Sequence, residues 1–95
     1  MTLRMVTYRV KDGRAEENSA YVRDVMAELE RSAPAGLTYS VFLLDDGLTF
    51  VHMVEGDSAP LLASEPFQRF SSTLAERLVG TPEQRTLTTV RRYAG

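Results

Sequence analysis

The pattern of apolar positions is strongest between Leu37 and Glu55, where Leu37–Leu44 and Leu48–Glu55 are split by Asp45-Asp46-Gly47. Two runs rich in β-branched and aromatic residues around an Asp-Gly pair predict a β-hairpin, because Asp-Gly readily takes the positive φ angles of a type I′ turn. With Asp46 and Gly47 as the turn residues, Val41 faces His52 and Leu43 faces Phe50. One face of the pair then carries Tyr39, Val41, Leu43, Phe50, His52 and Val54. The other carries Thr38, Ser40, Phe42, Leu44, Thr49, Val51 and Met53. A half-solvated antiparallel hairpin alternates apolar with polar positions. This one is largely apolar on both faces, so it needs a cover on both.

Residues 3 to 11 alternate as a strand, with Val6, Tyr8 and Val10 on one face. Asp12-Gly13 stops that strand and offers a cap for a helix whose first turn holds Glu16 and Glu17, where the helix dipole favours anions. Ala15, Val22, Val25, Met26, Leu29 and Ala33 mark the buried stripe of that helix over residues 14 to 33, and Pro34 ends it. After the hairpin, Gly56 to Pro60 form a turn and Leu61-Leu62-Ala63 a short helical segment. Ser64-Glu65-Pro66 reads as the start of a second helix: a serine cap, an acid in the first turn, and proline where its missing amide hydrogen costs little. Phe67, Phe70, Leu74 and Leu78 give it one apolar face, and it is expected to end near Gly80. The last strand is expected over residues 85 to 93. The predicted order is β-α-β-β-α-β, a ferredoxin-like α+β fold: four antiparallel strands in the order 4-1-3-2, with two helices on one face.

Ninety-five residues make one domain, 1–95, with one core. Hydrophobic residues at 43% and charged residues at 25% are ordinary globular values and exclude a disordered chain. The net charge of −2 gives no electrostatic attraction toward nucleic acid or an anionic membrane. Without cysteine the chain has no disulfide and no thiolate ligand, and with a single histidine no metal site is expected. No stretch approaches the ~18 apolar residues of a membrane span, and Met1 to Met5 lack the basic start of a signal peptide. A cytoplasmic protein with no membrane partner is the expectation.

The two helices cover only one side of the sheet, so a second copy of the chain is the simplest cover for the other, and a homodimer is expected. Here the sequence resembles the dimeric α/β barrel superfamily, specifically the antibiotic biosynthesis monooxygenase-like proteins. The resemblance spans nearly the whole chain: a first strand running into Val10-Lys11-Asp12-Gly13-Arg14-Ala15-Glu16-Glu17-Asn18, a glycine-containing hairpin, and the helix entry Ser64-Glu65-Pro66-Phe67-Gln68-Arg69-Phe70. It implies a pocket between sheet and helices, used in some members for cofactor-free oxidation of polycyclic aromatic compounds and in others for haem degradation. The haem-degrading members rely on an asparagine, a tryptophan and a histidine. This chain has no tryptophan, and its one histidine falls on the third strand, so none of those residues is carried over and no cofactor is expected.

His52 is the residue singled out for chemistry. Its side chain changes charge near neutral pH, so in an apolar pocket beside Tyr8 or Tyr39 it is a candidate base toward a phenolic substrate, whose electron-rich anion reacts with oxygen directly. The alternative is a structural histidine bonded to a tyrosine or a backbone carbonyl. Tyr8, Tyr39 and Asn18 are candidate ligand-binding residues, although tyrosines at such positions commonly serve packing and an asparagine near a helix start is commonly solvated.

RNA-recognition domains share the β-α-β-β-α-β order and carry a basic and aromatic motif on their third strand. The corresponding residues, Asp46-Gly47-Leu48-Thr49-Phe50-Val51-His52-Met53, keep Gly47, Phe50 and Val51. They replace the basic residue by Asp46 and two stacking aromatics by Leu48 and Met53, so nucleic acid is not an expected partner. Two functions stand side by side: a small cofactor-independent monooxygenase-like enzyme acting on an aromatic or polyketide-like molecule, and a non-catalytic ligand-binding or accessory dimer of the same fold.

Overall fold

The computed structural model describes residues 3–95. The first two residues of the expected N-terminal stretch, Met1 and Thr2, lie outside them. Strand β1 (Leu3–Val10) leads to helix α1 (Ala15–Ser32), then β2 (Leu37–Leu43) and β3 (Thr49–Gly56), the short helix α2 (Ala59–Ala63), α3 (Glu65–Thr73), a single 3₁₀ turn at Leu74–Glu76, and β4 (Leu78–Leu87). The sheet is antiparallel throughout, in the order β2-β3-β1-β4. That is the expected order read from its other edge. No helix of the described residues is long and apolar enough to cross a membrane.

Register decides which residues the helices cover. Val41 pairs with His52 and Leu43 with Phe50 across β2–β3, while Val6 pairs with His52 and Tyr8 with Phe50 across β1–β3. Tyr8, Phe50 and His52 therefore share one side of the sheet, and that side packs under the helices. Tyr8, Val10 and Phe50 join Val22 and Val25 of α1, Leu61 of α2 and Phe70 of α3 in the buried core. On the opposite side, Phe42 and Leu44 are exposed, and Leu3, Met5, Val51 and Met53 are half-buried with no element over them.

The hairpin turn differs from the expected type I′. Leu44 N–H donates to Thr49 O and Gly47 N–H to Leu44 O, which closes a four-residue loop around a type I turn, and only Gly47 has a positive φ. The register survives because both loops are centred on the same Asp-Gly pair. Asp46 explains the choice: its carboxylate accepts from Leu48 N–H, Thr49 N–H and the Thr49 hydroxyl. These bonds hold its pKa down at about 2.

Three other boundaries move. Helix α1 is capped at Arg14 without a side-chain bond, rather than by Asp12 or Gly13, and the Arg14 guanidinium instead pairs with Glu17 at 2.7 Å. The second long helix stops at Thr73, short of Gly80, and β4 occupies Leu78–Leu87 instead of residues 85 to 93. Gly80-Thr81-Pro82 resembles a turn in sequence, but here it is a bulge. Pairing on β4 jumps from Val79 to Glu83 while β1 advances only from Arg9 to Thr7, with Gly80 at φ +76°. Proline is tolerated there because β4 is an edge strand. Residues 88–95 form no regular element.

Gly56 is the most closely approached of the described glycines. It ends β3 at φ +88°, and a Cβ there would sit 2.1 Å from the Gly36 carbonyl oxygen, which accepts the Asp57 N–H at 2.9 Å. Gly13 has a similar φ of +81° with open space around it. Gly13→Ala is therefore expected to cost about 1–2 kcal/mol from the left-handed backbone alone, and Gly56→Ala a further ~1–3 kcal/mol from overpacking. Urea unfolding of both variants measures the difference; equal costs would show that the Gly36–Gly56 approach is not a constraint.

Candidate functional site

A cavity of about 610 Å³ opens between the covered side of the sheet and helices α2 and α3. Val6, Val54, Leu61, Phe67, Phe70, Leu74 and Leu78 supply its apolar walls, and Tyr8, Tyr39 and His52 its polar floor. Arg4, Ser58, Gln84 and Thr86 also line it. No aspartate or glutamate does. The Arg4 guanidinium bonds the Ser58 hydroxyl at 2.8 Å and forms no salt bridge among the described residues.

The floor is the end of a buried hydrogen-bonded chain. The Tyr39 hydroxyl lies 2.7 Å from His52 Nδ1, and the Tyr8 hydroxyl lies 2.8 Å from His52 Nε2. Asn18 Nδ2 donates to the Tyr8 hydroxyl at 2.8 Å, and Arg77 Nε donates to Asn18 Oδ1 at 3.1 Å. Arg77 also donates to the Thr73 hydroxyl at 2.8 Å and to the Phe70 carbonyl at 3.4 Å, and its guanidinium carbon lies 4.3 Å from the Tyr21 ring centroid. The relative exposure of Asn18 is 0%, of Arg77 1% and of His52 4%. No buried side-chain nitrogen or oxygen of the described residues lacks a partner.

Burial sets the protonation states. With only hydroxyls against it, the His52 cation loses its hydration without gaining a counter-charge, and its pKa falls to about 4. Burial pushes the Tyr8 phenol up to about 12 against the opposing bond from Asn18 and the Arg77 charge. It pushes Tyr39 up as well, with Tyr8 adding to the effect. At neutral pH the floor is a neutral imidazole between two neutral phenols.

All four residues singled out from the sequence thus fall in one chain. His52 presents no free ring nitrogen, because tyrosine hydroxyls occupy both. All three side chains line the cavity, with both ring nitrogens engaged by tyrosine hydroxyls. Asn18 is neither solvated nor a cavity wall; it stands behind Tyr8. Its spacing from Val22 and Val25, four and seven residues, is the helical signal for the buried stripe. Arg77 was missed altogether. In Ala75-Glu76-Arg77-Leu78 it looks like a surface charge, although two turns separate it from Phe70 on the same face.

The described residues contain no group of three or more His, Cys, Asp or Glu placed to hold a metal ion. No family model matches the chain, and no curated protein matches its sequence. Solved structures do match. The architecture is that of the ferredoxin-like antibiotic biosynthesis monooxygenase-like proteins. An antibiotic biosynthesis monooxygenase superposes at a TM-score of 0.76 and 18% identity, over 96% of this chain and 100% of its own. A Nitrosomonas europaea protein classed with that group gives 0.77 and 14%, over 94% and 89%. An uncharacterized NIPSNAP domain protein from Burkholderia xenovorans gives 0.67 and 19%, over 100% of both chains. At these identities the likeness establishes the fold.

His52 makes stability depend on pH. The unfolded chain binds a proton near pH 6.5 and the folded chain only near pH 4. The contribution is therefore complete above pH 6.5 and is lost as pH falls through that window, at about 1.4 kcal/mol per pH unit and roughly 3 kcal/mol in all. Urea unfolding at pH 7, 5.5 and 4.5 is expected to show this slope in the wild type and its absence in His52→Gln. Parallel curves for the two proteins would exclude His52 as the source.

Proposed function

We propose that the cavity binds a hydroxylated aromatic or polyketide-like molecule as its oxyanion, and that the protein is a cofactor-independent monooxygenase. The observation that carries this reading is the Tyr39–His52–Tyr8 floor in an otherwise apolar cavity. Its volume suits one small polycyclic molecule. The absence of acidic lining residues, with Arg4 at the wall, favours a negative ligand. The Tyr39 hydroxyl, backed by His52, is a preorganised donor toward a phenolate or enolate oxygen, of the kind that stabilises developing charge in a water-poor site. The electron-rich anion then reacts with O₂ itself. One oxygen atom enters the ring carbon, two hydrogens leave the substrate, and the second oxygen departs as water, so that a hydroxyarene becomes a quinone with no external reductant. The likeness to antibiotic biosynthesis monooxygenases supports the same class.

Oxygen uptake with a hydroxyanthrone as the probe tests the activity. The wild type is expected to consume one O₂ per quinone formed, and Tyr39→Phe to lose about 10²-fold in rate while still binding the probe. Binding by the wild type without oxygen uptake would retire the enzyme and leave a ligand-binding protein.

The working unit is a homodimer joined through the uncovered side of the sheet. Phe42, Leu44, Val51, Met53, Met5 and Leu3 there form an apolar stripe across three strands, and Phe42 is 54% exposed in the single chain. An interface on this face would bury on the order of 2,000 Å² and be obligate. Sedimentation equilibrium at micromolar concentration is expected to give twice the chain mass; a folded monomer would exclude it.

A further inference from the structure

Donor and acceptor inventory gives each bond of the buried chain a direction. Arg77 Nε carries a proton and no lone pair, so the Asn18 atom facing it at 3.1 Å has to be the carbonyl oxygen. The amide orientation is thereby fixed, and Nδ2 donates to the Tyr8 oxygen at 2.8 Å. Tyr8 holds one hydroxyl proton. Since Asn18 shows it only N–H groups, the remaining acceptor is His52 Nε2 at 2.8 Å. A nitrogen that accepts carries no proton, so the neutral imidazole holds its proton on Nδ1 and donates to the Tyr39 oxygen at 2.7 Å. The Tyr39 proton is left over, and Tyr39 lines the cavity. Reversing the chain would leave the proton of Tyr8, a residue that reaches the cavity but is only 3% exposed, against the Asn18 N–H groups with no protein acceptor, a buried unsatisfied donor.

We propose that Asn18 and Arg77 are positioning residues: Arg77 orients the Asn18 amide, Asn18 sets the direction of the chain, and the chain holds His52 as its Nδ1–H tautomer, so that the Tyr39 proton is presented to the cavity. This deepens the oxyanion reading and rests on it for its chemical purpose. It also narrows the ligand, since the atom that meets Tyr39 is an acceptor oxygen, a phenolate, enolate or carbonyl, rather than a hydroxyl giving up its proton. Free imidazole side chains favour the opposite, Nε2–H tautomer, so the effect is visible.

His52 is the only histidine of the chain, so its ring nitrogens are observed without assignment. In ¹⁵N-histidine-labelled, ligand-free protein at pH 7, long-range ¹H–¹⁵N correlation is expected to show a protonated Nδ1 and an unprotonated, pyridine-type Nε2. Asn18→Asp is the decisive variant. A carboxylate keeps the bond to Arg77 but accepts the Tyr8 proton, so the whole chain turns round. Nε2 then becomes the protonated nitrogen and Nδ1 the acceptor. A role limited to packing would change stability and leave the tautomer alone. An Nε2–H tautomer or an averaged mixture in the wild type overturns the proposal, as does a folded Asn18→Asp protein with an unchanged tautomer. Should that variant fail to fold, the wild-type spectrum decides by itself. Failure of oxygen uptake retires the monooxygenase without touching the tautomer, and a wrong tautomer retires the chain even in an active enzyme.

Discussion

A guanidinium with no carboxylate partner among the described residues is buried in the core, and much of the molecule is arranged around it. Arg77 is the largest of the fully buried side chains. Removing such a charge from water costs several kcal/mol unless hydrogen bonds replace its hydration. The replacements come from separate parts of the chain: Asn18 and the Tyr21 ring from α1, Thr73 and the Phe70 carbonyl from α3. The backbone carbonyl of Arg77 meanwhile accepts Lys11 N–H at 2.8 Å, tying the end of β1 to the start of β4. Two helices and two strands thus meet at one residue. Arg77 follows the end of α3 and its 3₁₀ turn, where its backbone carbonyl meets Lys11 N–H.

The fold was largely legible because its signals are local and repeated. The hairpin register followed from an Asp-Gly pair between alternating runs, and the cap of α3 from Ser64, whose hydroxyl accepts Phe67 N–H at 3.2 Å. What misled was punctuation. Gly80-Thr81-Pro82 has turn chemistry, and the polar run after it reads as a separate strand. Only the pairing partner β1 reveals that the same residues form a bulge inside one edge strand. A bulge is defined by what lies opposite, and that information is not local. The site divides in the same way. His52, Tyr8 and Tyr39 share a sheet face by simple alternation and so are found together once the register is known. Asn18 and Arg77 reach them from a helix and a loop, through tertiary contacts spanning 10 and 59 residues.

The chain also constrains what the cavity can be. Five polar side chains interlocked in a small core place a heavy demand on satisfaction, because a low-dielectric surrounding penalises any one left unpaired. Leucine and phenylalanine at the same places would relieve that demand, and such replacements are commonly neutral or stabilising. The arrangement's net advantage in stability over an apolar core is therefore small. Tyr39, at its end, lines the cavity together with Tyr8 and His52, and that is the reason to look for a use there.

The proposed use rests on polarity. With His52 depressed to about 4, the imidazole is a poor acceptor of a substrate proton at neutral pH. A chain anchored on a permanent cation is polarised in one sense, each donor strengthened by the bond behind it. Tyr39 stands at its far end, where this polarisation of the hydroxyl works against the burial that holds its proton on. An oxyanion in the cavity gains from this at every link, while a neutral hydroxyl gains far less. On the proposed bond direction, selectivity for the ionised form of a ligand requires no charged group in the cavity floor.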